Sequence, residues 1–184
     1  MKLVPTASQT VGPFFCIGLD HLCAAPPAID AKTVTVSGRV IDANREPVSD
    51  AILEFWQADA SGQYASRPAS ADSKGRAAGF ARVATADDGG FRLTTYVPGA
   101  VPFDGRRMQA PHIEVLVFAR GLLRHLVTRM YFPEEQANDT DPVLLSVPED
   151  RRDTLIARRL SSAAYALEWN VVLQGEDETA FFAW

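Results

Sequence analysis

Residues 110–132 read APHIEVLVFARGLLRHLVTRMYF, and the fold follows from how that stretch is paired. Ile113, Val115 and Val117 alternate with His112, Glu114 and Leu116. Alternation with period two marks a strand with one buried face. Gly121 stands where the chain must reverse, a position that costs least without a Cβ. The stretch therefore predicts two antiparallel strands joined by a tight turn. On an unbroken first strand, His112, Glu114 and Arg120 share one face, because side-chain direction repeats every second residue. Two readings of that ridge are open. A histidine and a carboxylate two apart make half of a metal site. Equally, His112 is a satisfied core histidine and Glu114 pairs with a nearby arginine.

Working outward, the same period recurs. TVTVSGRVI (residues 33–41) predicts a strand, and AILEFWQ (51–57) predicts a second with apolar residues on both faces, hence central and covered twice. Residues 80–86 and 91–97 predict a hairpin across Asp88-Gly89. Residues 165–173 alternate as a final long strand, and 151–159 predict a short helix or turn. About seven short strands, turn signals between them and almost no helix indicate an all-β antiparallel β-sandwich with long loops. The 184 residues suit one domain, 1–184.

Residues 1–32 fit no regular element. Pro5 and Pro13 exclude a helix, yet Phe14, Phe15, Cys16 and Ile17 are too apolar for a free tail. This extended segment is expected to lie across a surface, its own or a partner's. The apolar C-terminal run from Phe181 to Trp184 adds to the expectation of an obligate, higher-order hetero-oligomer.

Charge and composition narrow the function. A net charge of −5 with mixed signs carries no basic patch for nucleic acid. No apolar run reaches the length of a membrane span. The first residues lack a signal-peptide core, so a cytoplasmic location is expected. Cys16 and Cys23 form neither a CxxC motif nor a Cys/His cluster, and read as reduced thiols.

LEFWQADASGQY (53–64), DDGGFRLTTYVPG (87–99), APHIEV (110–115) and VTRMYF (127–132) resemble the intradiol ring-cleaving dioxygenases. SQTVGPFF (8–15), FARG (118–121) and QGEDETAFF (174–182) resemble more narrowly the alpha chains of the family's two-chain, protocatechuate-cleaving branch. The resemblance implies a non-haem ferric ion held by two tyrosinates and two imidazoles on a catalytic chain. In this chain Tyr64 stands at the first tyrosine, Val101 at the second, His112 at the first histidine and Glu114 at the second. Gln109 replaces the arginine expected just before the histidine pair. The resemblance thus implies a vestigial metal site here, no catalytic residue on this chain, and Fe(III) bound by a partner beta chain. It also implies that Thr10, Gly12, Pro13, Phe14 and Arg120 line the partner's substrate pocket, with phenylalanine at 14 where tyrosine is common. The expected reaction inserts both atoms of dioxygen between the hydroxyls of 3,4-dihydroxybenzoate, giving 3-carboxy-cis,cis-muconate.

Two other readings stand beside it. Gly38-Arg39-Val40, a turn and an apolar strand also resemble the carboxypeptidase-regulatory-like sandwich modules, which bind and catalyse nothing. A self-sufficient metalloenzyme would use Tyr64, His112 and Glu114.

Overall fold

The computed structural model describes residues 4–12, 15, 33–64, 79–160 and 165–183. Pro13, Phe14, Cys16, Ile17, Cys23, Trp184 and residues 20–32 and 65–78 lie outside the described residues.

The 110–132 stretch forms strands β7 (His112–Phe118) and β8 (Leu126–Tyr131), paired antiparallel from His112↔Tyr131 to Val117↔Leu126. The connection is longer than the tight turn expected, spanning residues 119–125, with Gly121 at φ +93° where the chain reverses. Strand β2 (Ile52–Trp56) lies between β7 and β3 (Phe80–Ala84), giving a four-stranded sheet in the order β3-β2-β7-β8. Only the Ile52 end of the outer face of β2 is buried. Farther along, Glu54 pairs with Arg82, and Trp56 is exposed beside Phe80. The strand is central, as its pattern predicted, but is not covered along both faces.

The second sheet is built on β1 (Thr33–Ile41), with β4 (Gly90–Tyr96) antiparallel on one side. On the other side β10 (Ala166–Glu168) and β11 (Val171–Val172) run parallel to β1. The sandwich is otherwise antiparallel, as expected. Parallel pairing needs a long crossover; here it takes in the whole of the other sheet and ends in residues 133–157, with 3₁₀ helices at Gln136–Thr140, Leu144–Ser146 and Glu149–Leu155. Strand β9 (Arg158–Arg159) then pairs with β10, and a short ribbon joins β5 (Val101–Pro102) to β6 (Met108–Gln109).

The two sheets face each other. Val36, Val40, Leu93, Leu167 and Val171 of one pack into the same core as Leu53, Phe55, Ile113, Val115 and Val117 of the other. Each such side chain, taken wholly out of water, contributes on the order of 1.5–3 kcal/mol. A smaller core of Tyr131, Leu144, Val147, Leu155 and Ala180 holds the crossover against β8.

Two expectations about connections are corrected. The Asp88-Gly89 turn does not close a hairpin, because β3 pairs with β2 while β4 pairs with β1. The turn, with Ala86 N donating to Gly90 O at 2.8 Å, carries the chain from one sheet to the other. The final strand is two strands, interrupted at Trp169 and Asn170. There the Asn170 Oδ1 accepts from Arg39 N at 2.9 Å, replacing a backbone rung with a side chain. The apolar tail docks on its own chain. Phe182 N donates to Val127 O at 2.8 Å, and Phe181 is half-buried against the main core.

Candidate functional site

The positions expected to be vestigial ligands come from three places. Tyr64 ends a turn whose shape is set by Asp59. The Asp59 carboxylate accepts from Ser61 N at 2.9 Å, Ser61 Oγ at 2.7 Å and Gln63 N at 3.0 Å, which holds its carboxyl below the usual range. Gly62 adopts φ +80°, and a Cβ there would meet the Ala100 carbonyl oxygen at 2.0 Å. The tyrosine turn and the loop leading to Val101 therefore touch backbone to backbone.

His112 opens β7 and is only 3% exposed. Its Nδ1–H donates to Ala110 O at 2.7 Å, since a carbonyl can only accept. That leaves Nε2 to accept from the Tyr64 hydroxyl at 3.4 Å. Asp141, wholly buried, accepts from Ala110 N at 2.7 Å and from Tyr131 Oη at 3.2 Å, and so fixes the segment that fixes His112. Burial, with the Arg129 charge beside it, pushes the His112 imidazole down to about 4. Burial likewise pushes the Tyr64 phenol up. At neutral pH the two are an uncharged imidazole and an uncharged phenol.

Arg129 is the residue that sequence reasoning missed. It lies on β8 directly opposite Glu114, is 7% exposed, and donates from Nη1 to Gln109 Oε1 at 2.7 Å. Gln109 takes the place of the expected arginine; Arg129 supplies a guanidinium from the neighbouring strand. The signal was in VTRMYF, where an arginine interrupts a buried strand, but its partner depended on a register that alternation does not give. Glu114 therefore faces an arginine across the ladder, while both ring nitrogens of His112 have other partners.

The donors do not fit a ferric ion of this chemistry. That ion takes phenolate and imidazole donors. Val101, 3% exposed, has no donor atom, Glu114 offers a carboxylate in place of an imidazole, and a buried guanidinium adds repulsion. Among the described residues no cluster of three histidine, cysteine or acidic side chains stands close enough to hold a metal. Among the described residues, too, no helix is long and apolar enough to cross a membrane.

The expected ridge of His112, Glu114 and Arg120 is broken. β7 ends at Phe118, and Arg120 belongs to the turn beyond it, roughly 25 Å from His112 at strand rise. At that far end a second group of residues does meet. Gly121 N donates to Thr10 Oγ1 at 2.8 Å, so the N-terminal arm is tied to the turn. Phe15 N donates to Gly12 O at 3.1 Å, and the Phe15 ring lies 5.8 Å from that of Phe118. Arg120 is ion-paired with Asp50, Nε to Oδ2 at 2.8 Å, while 63% of its side chain stays exposed. The structure thus brings Thr10, Gly12 and Arg120 to one end of the sandwich; Pro13 and Phe14 lie outside the described residues.

Comparison with known proteins bears on both ends. Residues 27–175 match a dioxygenase family, Dioxygenase_C. The chain is 42% identical to the protocatechuate 3,4-dioxygenase alpha chain of Burkholderia cepacia, covering 98% of each. It is 34% identical to the beta chain from the same organism, over 80% of this chain and 67% of that one. Among solved structures, the dioxygenase domain of a carbohydrate-binding fusion protein from Streptomyces superposes with a TM-score of 0.60 at 30% identity, covering 83% of this chain and 84% of that one. These matches set aside the carboxypeptidase-regulatory-like module. They establish that the chain, with its β-sandwich, belongs to the intradiol ring-cleaving dioxygenase family.

Proposed function

We propose that this chain is the non-catalytic alpha subunit of a protocatechuate 3,4-dioxygenase. It assembles with a beta chain that carries the Fe(III), and it closes that chain's substrate pocket with Thr10, Gly12, Pro13, Phe14 and Arg120. The end-to-end likeness to an alpha chain carries this reading. The donor set at Tyr64, Val101, His112 and Glu114 agrees with it, because the ring-opening chemistry then belongs to the partner. Arg120 meets the substrate's carboxylate, a charge the ring cleavage does not use. Its planar fork can donate two parallel hydrogen bonds, which makes it a specificity device.

The test is co-expression with a sister chain carrying the full Tyr/Tyr/His/His set. Oxygen uptake and ring-opened product are measured with protocatechuate. The expected result is a stable complex that consumes one dioxygen per ring, with this chain inactive alone. Ring cleavage by this chain by itself, or failure to associate with any such sister chain, would overturn the reading.

A further inference from the structure

We infer that Asp50 is the positioning residue for Arg120: it holds the guanidinium by Nε so that its two terminal nitrogens meet the substrate carboxylate. The inference rests on the reading of this chain as an alpha subunit.

The placement follows from strand register. β2 and β7 pair with Ile52 opposite Phe118, and each step outward takes one from the number on β2's side and adds one on β7's. Two steps beyond the end of the ladder, Asp50 comes opposite Arg120. The Nε–Oδ2 ion pair of 2.8 Å thus joins the two turns that leave the sheet at this end of β2 and β7. Its two members are unequally fixed. The Asp50 side chain is 22% exposed and that of Arg120 63%. Backbone on either side of Asp50 is latched by Thr85, whose Oγ1 donates to Val48 O at 2.8 Å and accepts from Ala51 N at 3.0 Å. Thr85 N closes the latch on Ala51 O at 3.0 Å. On the other side of Arg120, Gly121 N is tied to Thr10. A long arginine on a turn would otherwise be spread over many rotamers, and binding would have to order it.

The chemistry of the guanidinium completes the argument. It offers five N–H donors in one plane. The Asp50 carboxylate stands beside Nε as an ion pair. The outer edge, made of the two terminal nitrogens, presents the fork that matches a second carboxylate. Asp50 also brings a negative charge, which opposes an anionic substrate. Geometry and charge must therefore be tested apart.

The experiment uses the assembled alpha–beta complex and steady-state kinetics on protocatechuate and on catechol, which lacks the carboxylate. Variants are Asp50→Ala, Asp50→Asn, Arg120→Ala and the double alanine variant, each checked for co-purification and iron content. Arg120→Ala is expected to raise KM for protocatechuate roughly 10- to 150-fold and to change catechol far less. Asp50→Ala is expected to raise KM for protocatechuate about fivefold, with kcat nearly constant and catechol little affected. Asp50→Asn keeps an oxygen for Nε without the charge, and should restore KM to the wild-type value or below. Adding Asp50→Ala to Arg120→Ala should cost nothing further, because the two residues act as one unit. An Arg120→Ala effect without an Asp50→Ala effect, or equal losses on both substrates, would overturn this inference and leave the alpha-subunit reading standing. A wild-type complex that does not cleave protocatechuate would overturn that reading and the inference with it.

Discussion

Burial decides what the Tyr64–His112 pair can be, and the Arg129 charge adds to it at the imidazole. His112 stays neutral, at about 4 against an ordinary 6.5. Its contribution to stability follows in sign. The unfolded chain binds a proton near 6.5 and the folded chain only near 4, so stability is complete above the unfolded value and falls as pH drops through that interval. Denaturant unfolding of the purified protein should show about 2 kcal/mol less stability at pH 5 than at pH 7 from this residue. His112→Gln should remove that part of the slope; an unchanged slope would show that the imidazole is free to charge. At this scale the sequence was partly legible. The four ligand positions could be aligned one by one, and Val101 and Glu114 already excluded the family's donor set. Arg129 and Asp50 were not legible in their roles. Each matters through the residue opposite it, and alternation gives the face of a side chain without giving its cross-strand partner.

Among the elements, β1 carries the most constraint. It sits inside its sheet, with β4 along one edge and two short parallel strands along the other. Gly38 lies where those two strands meet. A Cβ there would stand 1.7 Å from the Trp169 carbonyl oxygen, a backbone atom that cannot swing aside. Gly38→Ala should therefore destabilise the protein by roughly 3 kcal/mol, read as a lower unfolding midpoint. A change under about 0.5 kcal/mol would mean that the strand break at Trp169 and Asn170 is not held by this contact. The long alternating strands were read correctly because each has one clearly buried face. The break in 165–173 was hidden because apolar alternation continues through it, while Asn170 supplies a rung from its side chain. The Asp88-Gly89 corner was read as a hairpin because the turn is local and hairpin-like. Which strand each arm joins is a long-range matter, settled by the two sheets closing on a common core.

For the whole molecule, β7 separates two ends with different fates. At one end stands the Tyr64–His112 pair, an uncharged phenol against a buried imidazole, with the loop leading to Val101 against the tyrosine turn. At the other, the N-terminal arm is tied to the 119–125 loop beside Arg120. The tail residues Phe181 and Phe182 pack on their own chain, so they add no argument for association. That argument rests on the arm face and on the likeness to an alpha chain. The overall architecture was legible because the strand pattern and the resemblance covered nearly the whole chain. The separation of the two ends was not, since it turned on β7 stopping at Phe118 instead of running through Arg120. The most direct test of a chain that completes a partner's site without holding metal is iron analysis of the two subunits separated from a complex made in iron-replete medium. The account predicts iron near one per beta chain. It predicts far less than stoichiometric iron, and no visible tyrosinate-to-iron band, on this chain. Tightly held, near-stoichiometric iron on this chain would contradict it.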